Sequence, residues 1–128
     1  MAGELILIVE DNEKNRKLVR EVLQLKGYQT VEATTAEEGL EIARSHQPAL
    51  ILMDIQLPGI DGLTALSQLK ADPATRTIPV MAITASAMVH DLERIRQAAF
   101  DAYQTKPISV KAFIETVQKI LDKRENAS

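Results

Sequence analysis

Apolar residues in this chain fall into short unbroken runs and stretches of helical spacing, and the two kinds alternate. Leu5-Ile6-Leu7-Ile8-Val9, Leu50-Ile51-Leu52-Met53 and Val80-Met81-Ala82-Ile83 are the runs. A run this short, bounded by turn residues, predicts a strand buried on both faces, as in a parallel sheet. Tyr28-Gln29-Thr30-Val31-Glu32 alternates instead, which suits a strand nearer a sheet edge, and Ala102-Tyr103-Gln104-Thr105-Lys106 reads as a short last strand. Between them, Leu18, Val22 and Leu25 mark a helix over residues 12–26, stopped by Gly27. Thr35-Ala36-Glu37-Glu38 has the form of a capping box and opens a helix that carries Leu40 and Ala43 inward, ended by His46-Gln47-Pro48. Leu63, Leu66 and Leu69 give a helix that stops at Asp72-Pro73, and Met88, Leu92, Ile95 and Ala99 give the next. Ser109 can cap the last, with Phe113, Val117, Ile120 and Leu121 on its inner face. Five strands alternating with five helices predict an α/β fold: a doubly wound parallel sheet with right-handed crossovers and helices on both faces.

Length and composition narrow the picture without changing it. At 128 residues, 45% hydrophobic and 26% charged, the chain is expected to form one globular domain over residues 1–128, with the polar stretch 122–128 frayed. The net charge of −3 and the lack of a basic cluster give no nucleic-acid footprint. With no Cys there is no disulfide framework, thiolate metal site or thiol nucleophile. The start Met1-Ala2-Gly3-Glu4 lacks a basic segment, and the apolar run after it is short, so neither a signal peptide nor a membrane span is expected. A cytoplasmic location follows as the expectation.

The strand ends bring in chemistry. Parallel strands share one carboxyl edge, where open α/β sheets place their ligands. The residues delivered there are Glu10 and Asp11, Asp54, Thr84 and Lys106. Each has a plain alternative: Glu10 and Asp11 can favour the following helix dipole, Asp54 can start a turn, Thr84 suits a strand, and Lys106 can be a solvated charge. Taken together they point elsewhere. Crowded carboxylates repel, and a hard divalent cation with oxygen ligands such as Mg²⁺ relieves the repulsion. A carboxylate can act as nucleophile and form an aspartyl phosphate, with a lysine and a hydroxyl available for the phosphoryl oxygens.

On the stretches Ile6-Leu7-Ile8-Val9-Glu10-Asp11-Asn12, residues 50–62, 78–88 and 103–109, the chain resembles the receiver domains of two-component response regulators, of the DivK-like single-domain type. The resemblance implies the flavodoxin-like (CheY-like) strand order 2-1-3-4-5. It implies that Asp54 accepts a phosphoryl group from a histidine kinase or histidine phosphotransfer protein. It further implies that Glu10, Asp11, Asp54 and the backbone carbonyl of Gln56 hold Mg²⁺. Thr84 and Lys106 would contact the phosphoryl group, Thr84 and Tyr103 would form the switch, and Lys106-Pro107 would be a cis peptide. Ala85 leaves the phosphoryl site open, and Gln56 and Ser86 lie where the family tunes dephosphorylation. Ala99 stands where family members commonly carry Gly, so the turn before Tyr103 is expected to be strained or altered. His46 and His90 stand outside the constellation.

Output is then expected by contact with a downstream protein target, and the chain is expected to act on no substrate beyond its own phosphorylation and dephosphorylation. Other readings fit less well. An aspartyl-phosphate hydrolase of the haloacid-dehalogenase type places a second aspartate where this chain has Gln56. A flavin or nucleotide binder would want glycines or hydroxyls where Glu10 and Asp11 stand. A passive interaction module would not need the full set of site residues. A receiver excised from a hybrid histidine kinase is the alternative within the family, with a free-standing protein favoured because the last helix ends near the C-terminus.

Overall fold

The runs of branched apolar residues form the centre of the sheet, where both faces are covered. The computed structural model describes residues 3–55, 60, 62–84, 98, 100–105 and 108–127. In chain order these give β1 (Leu5–Val9), α1 (Glu13–Leu25), β2 (Gln29–Ala33), α2 (Ala36–His46), β3 (Leu50–Asp54), α3 (Gly62–Ala71), β4 (Val80–Thr84), β5 (Ala102–Thr105) and α4 (Val110–Ala127). The five strands form one parallel sheet in the order β2-β1-β3-β4-β5, as expected. Apart from residue 98, the helix expected over residues 88–99 lies outside the described residues.

Alternate residues of each central strand serve two separate cores. On one face Ile6, Ile8, Leu50, Leu52, Met81 and Ile83 pack with Val19 and Leu23 of α1 and Phe113, Ile114, Val117 and Leu121 of α4. On the other, Leu7, Val9, Ile51, Met53 and Val80 pack with Ala36 and Ala43 of α2 and Ala65, Leu66 and Leu69 of α3. Each fully buried aliphatic side chain contributes about 1.5–3 kcal/mol by leaving water, and a strand used on both sides collects this twice per dipeptide. That is why these strands read as continuous apolar runs.

The caps are those the side chains dictate. Asn12 accepts the Asn15 amide at 3.0 Å to start α1, and Thr35 accepts the Glu38 amide at 3.1 Å to start α2. The Glu38 carboxylate reaches back to the Thr34 amide at 3.0 Å. Helix α2 ends on Gln47 in the left-handed region at φ 50°, and Pro48 then prevents continuation.

One expectation needs correction. The inner face of α1 is carried by Val19 and Leu23, with Val22 at its margin, whereas Leu18 is 40% and Leu25 86% exposed. The helix crosses the sheet on a stripe displaced by about a quarter turn from the one its leucines suggested. Helix α4 runs to Ala127, past Leu121 where its buried apolar residues end.

Candidate functional site

Glu10 immediately follows β1, and its backbone amide donates to Ala33 O at 3.0 Å, extending the ladder by one residue. Asp54 is the last residue of β3, paired in register with Ile83. Since β1 and β3 are neighbours with Val9 opposite Met53, the residues after both strands emerge side by side. The result is a cluster in which Glu10, Asp11 and Asp54 each place a carboxylate oxygen within 4.8 Å of the others. Glu10 and Asp54 are buried, 5% and 3% exposed, while Asp11 faces solvent.

The surroundings fix Glu10 closely. Its Oε2 accepts the Asn12 amide at 3.1 Å, which orients the carboxylate. Its main-chain carbonyl accepts Arg16 Nη1 at 3.0 Å. Asp54 is held through the main chain on its C-terminal side. The Ile55 amide donates to Ile83 O at 3.0 Å, and the Gly62 amide, at the first residue of α3, donates to Ile55 O at 3.0 Å. A Cβ at Gly62 would stand 2.7 Å from Asp54 O and 2.8 Å from Ile55 Cα, so only glycine lets α3 start against this strand end.

Thr84 ends β4 one residue beyond the partner of Asp54, opens onto the same edge, and is buried. Tyr103, in β5 opposite Ala82, is 37% exposed. The strand edge therefore gathers Glu10, Asp11, Asp54 and Thr84, while Tyr103 lies on the edge strand β5, two residues before the partner of Thr84. Gln56, Lys106 and Pro107 lie outside the described residues, as do Ala85, Ser86, His90 and Ala99. His46, the last residue of α2, has its Nδ1 2.8 Å from Ser45 Oγ and takes no part in the cluster. Three participants went unpredicted: Asn12 as the donor to Glu10, Arg16 as the donor to its carbonyl, and Gly62 as the point of close approach. The Asp61-Gly62 pair was the available signal for the last.

Three carboxylates on adjacent parallel strand ends, in a sheet ordered 2-1-3-4-5, define an acidic cluster that could hold a divalent cation at the carboxyl edge of a doubly wound fold. The sequence agrees with that class. The response regulator receiver domain model matches residues 6–118, and the chain belongs to this family of phosphorylation-dependent signalling domains. It is 52% identical over 116 residues to the polar-differentiation response regulator DivK of Brucella ovis, covering 91% of this chain and 94% of that one. Among solved structures it is similar to a CheY-like response regulator receiver domain from Methanospirillum hungatei, with a TM-score of 0.88, 28% identity and coverage of 99% and 100%. It is also similar to the receiver domain of a sensor histidine kinase from Pseudomonas aeruginosa, solved with magnesium coordinated in its active-site cleft. There the TM-score is 0.87 at 30% identity, covering 94% of this chain and 99% of that one. No helix among the described residues is long and apolar enough to cross a membrane.

Proposed function

We propose that this chain is a switch that takes a phosphoryl group onto Asp54 from a histidine kinase or histidine phosphotransfer protein and passes the signal by contact with a downstream protein. The observation that carries this is the buried Asp54 carboxylate at a strand end, clustered with Glu10 and Asp11 within 4.8 Å. A divalent cation fits that donor set: hard, anionic oxygens, two held by the fold and one open to solvent, suit Mg²⁺, which keeps several waters. Glu10, Asp11, Asp54 and the Gln56 carbonyl would hold it. When bound, the cation neutralises the carboxylates and the incoming phosphoryl oxygens.

In the transfer itself an Asp54 carboxylate oxygen forms the new bond to phosphorus as the P–N bond of the donor phosphohistidine breaks, and the imidazole leaves. Hydrolysis by water later returns the carboxylate and inorganic phosphate, so the domain catalyses only its own phosphorylation and dephosphorylation. Thr84 and Lys106 meet the phosphoryl oxygens. Thr84 following the phosphoryl group and Tyr103 turning in behind it would form the switch, because a ligand shifts a two-state element only by its differential affinity for the two states. The setting this implies is the cytoplasm, with neither nucleic acid nor membrane as partner.

The test is intact-protein mass after incubation with acetyl phosphate and Mg²⁺. One phosphoryl group should be added to the wild type, none to Asp54→Asn, and none when the divalent ion is chelated. Labelling that persists in Asp54→Asn, or that needs no divalent ion, would reject the assignment.

A further inference from the structure

Arg16 lies one turn into α1, where a basic side chain would ordinarily extend into water. Instead it is 18% exposed and bridges two neighbours. Its Nε donates to Glu32 Oε1 of β2 at 2.9 Å, and its Nη1 donates to the main-chain carbonyl of Glu10 at 3.0 Å. Glu32 is itself held from a second side, by Arg20 Nη1 at 3.1 and 3.0 Å to its two oxygens. A guanidinium presents its donors in a rigid planar fork, so one residue can tie two acceptors on different elements at a set distance. Here the tie runs from the edge strand, through α1, to the residue that leads β1 into the acidic cluster.

We propose that Arg16 is a positioning residue for the divalent-cation site, with Glu32 fixing Arg16 in turn. Glu10 is then clamped twice, its carboxylate by the Asn12 amide and its main chain by Arg16, and the carboxylate meets the cation in one orientation. The inference rests on the Mg²⁺ site proposed above. Arg16 touches neither the cation nor the phosphoryl group and acts only through Glu10.

Two effects of Arg16 on cation binding have opposite signs, and this makes the proposal testable. As a positive charge near the cluster it repels the cation, so its removal should tighten binding if charge is all that matters. As a clamp it preorganises a ligand, so its removal should weaken binding. Outer partners of metal ligands typically account for about 10–100-fold in affinity.

The experiment is a titration of each protein with MgCl₂ at constant ionic strength, following the amide resonances of Asp11 and Asp54, with far-UV circular dichroism as the check on folding. Arg16→Ala should bind Mg²⁺ about tenfold more weakly than the wild type, at the low end of that range. Glu32→Gln, which keeps an acceptor but loses the charge, should fall between the two. Arg20→Ala, which leaves the Arg16 bond to Glu10 in place, should stay close to the wild type. Unchanged or tighter binding by Arg16→Ala would overturn the proposal while leaving the cation site standing. If Arg16→Ala does not fold, Arg16→Lys takes its place with the same required weakening, since an ammonium offers its donors from one atom and does not span both acceptors. A wild type with no saturable response would remove the cation site and this inference with it.

Discussion

At the scale of single residues, Asp72 shows how a short polar side chain can end a helix and anchor a loop together. Its Oδ1 accepts the Ala74 amide at 2.9 Å, across Pro73, and its Oδ2 accepts Arg44 Nε of α2 at 2.9 Å. The backbone donor first and Arg44 second hold this carboxyl below its ordinary value of 3.8, against a smaller opposing effect of partial burial. A carboxyl depressed in the folded state adds stability that is fully present above 3.8 and is lost as pH falls through the lower folded value. Asp72→Ala should therefore lower the urea midpoint at neutral pH, and the gap from the wild type should close in strongly acidic solution. Equal gaps at both pH values would show that the loss is one of packing. Gln47 is the complementary case. It occupies a left-handed position that glycine would hold at less cost, and its Nε2 offsets part of this by donating to Ala74 O at 2.9 Å and Arg44 O at 3.2 Å.

At the scale of elements, the strands and most helix ends were legible because local chemistry decides them: unbroken apolar runs, a capping threonine, a proline after a helix. Which face of α1 turns inward was not. Leu18, Val19, Val22, Leu23 and Leu25 offer overlapping helical stripes, and the crossing of the helix over β1 and β2 selects Val19 and Leu23. Partners 12 and 16 residues apart, as Arg20 and Arg16 are from Glu32, were equally hidden, since they meet only once β2 lies beside β1. The start of α3 is a tightly set junction. At Gly62 an added Cβ would meet backbone, not the end of a flexible side chain, so the strand or the helix must shift. Gly62→Ala should destabilise by about 1–3 kcal/mol in denaturant titrations, in the range of overpacking. It should also slow acetyl-phosphate labelling of Asp54, because the atoms displaced are the main chain of that residue and the next. Wild-type stability together with a wild-type labelling rate would contradict the described approach.

At the scale of the whole molecule, the acidic cluster was legible as a set because topology alone sends the ends of β1 and β3 to one edge. Its inner supports were not. The fold works against the mutual repulsion of Glu10, Asp11 and Asp54, and a cation bound only by the folded state should stabilise the chain by mass action. At 100 times the dissociation constant the gain is about 2.7 kcal/mol, which for a domain of this size corresponds to a rise in Tm of roughly 10 °C. Thermal melts at neutral pH, with Na⁺ balancing ionic strength, should show this for the wild type. Asp54→Asn should melt higher than the wild type without Mg²⁺ and respond less to it. Indifference of the wild type to millimolar Mg²⁺, or a lower metal-free Tm for Asp54→Asn, would mean that the three carboxylates do not act as one site.

The sheet that separates the two cores also joins them. Every central strand lends alternate side chains to both, so neither side can loosen without uncovering the strands that the other side needs. The shared strands thereby couple the two cores, and the two sides are expected to melt together. A phosphoryl group taken up at Asp54, as proposed above, would meet a sheet covered on both faces. Its effect would then fall on what the carboxyl edge carries, with the covered centre of the sheet as the fixed frame.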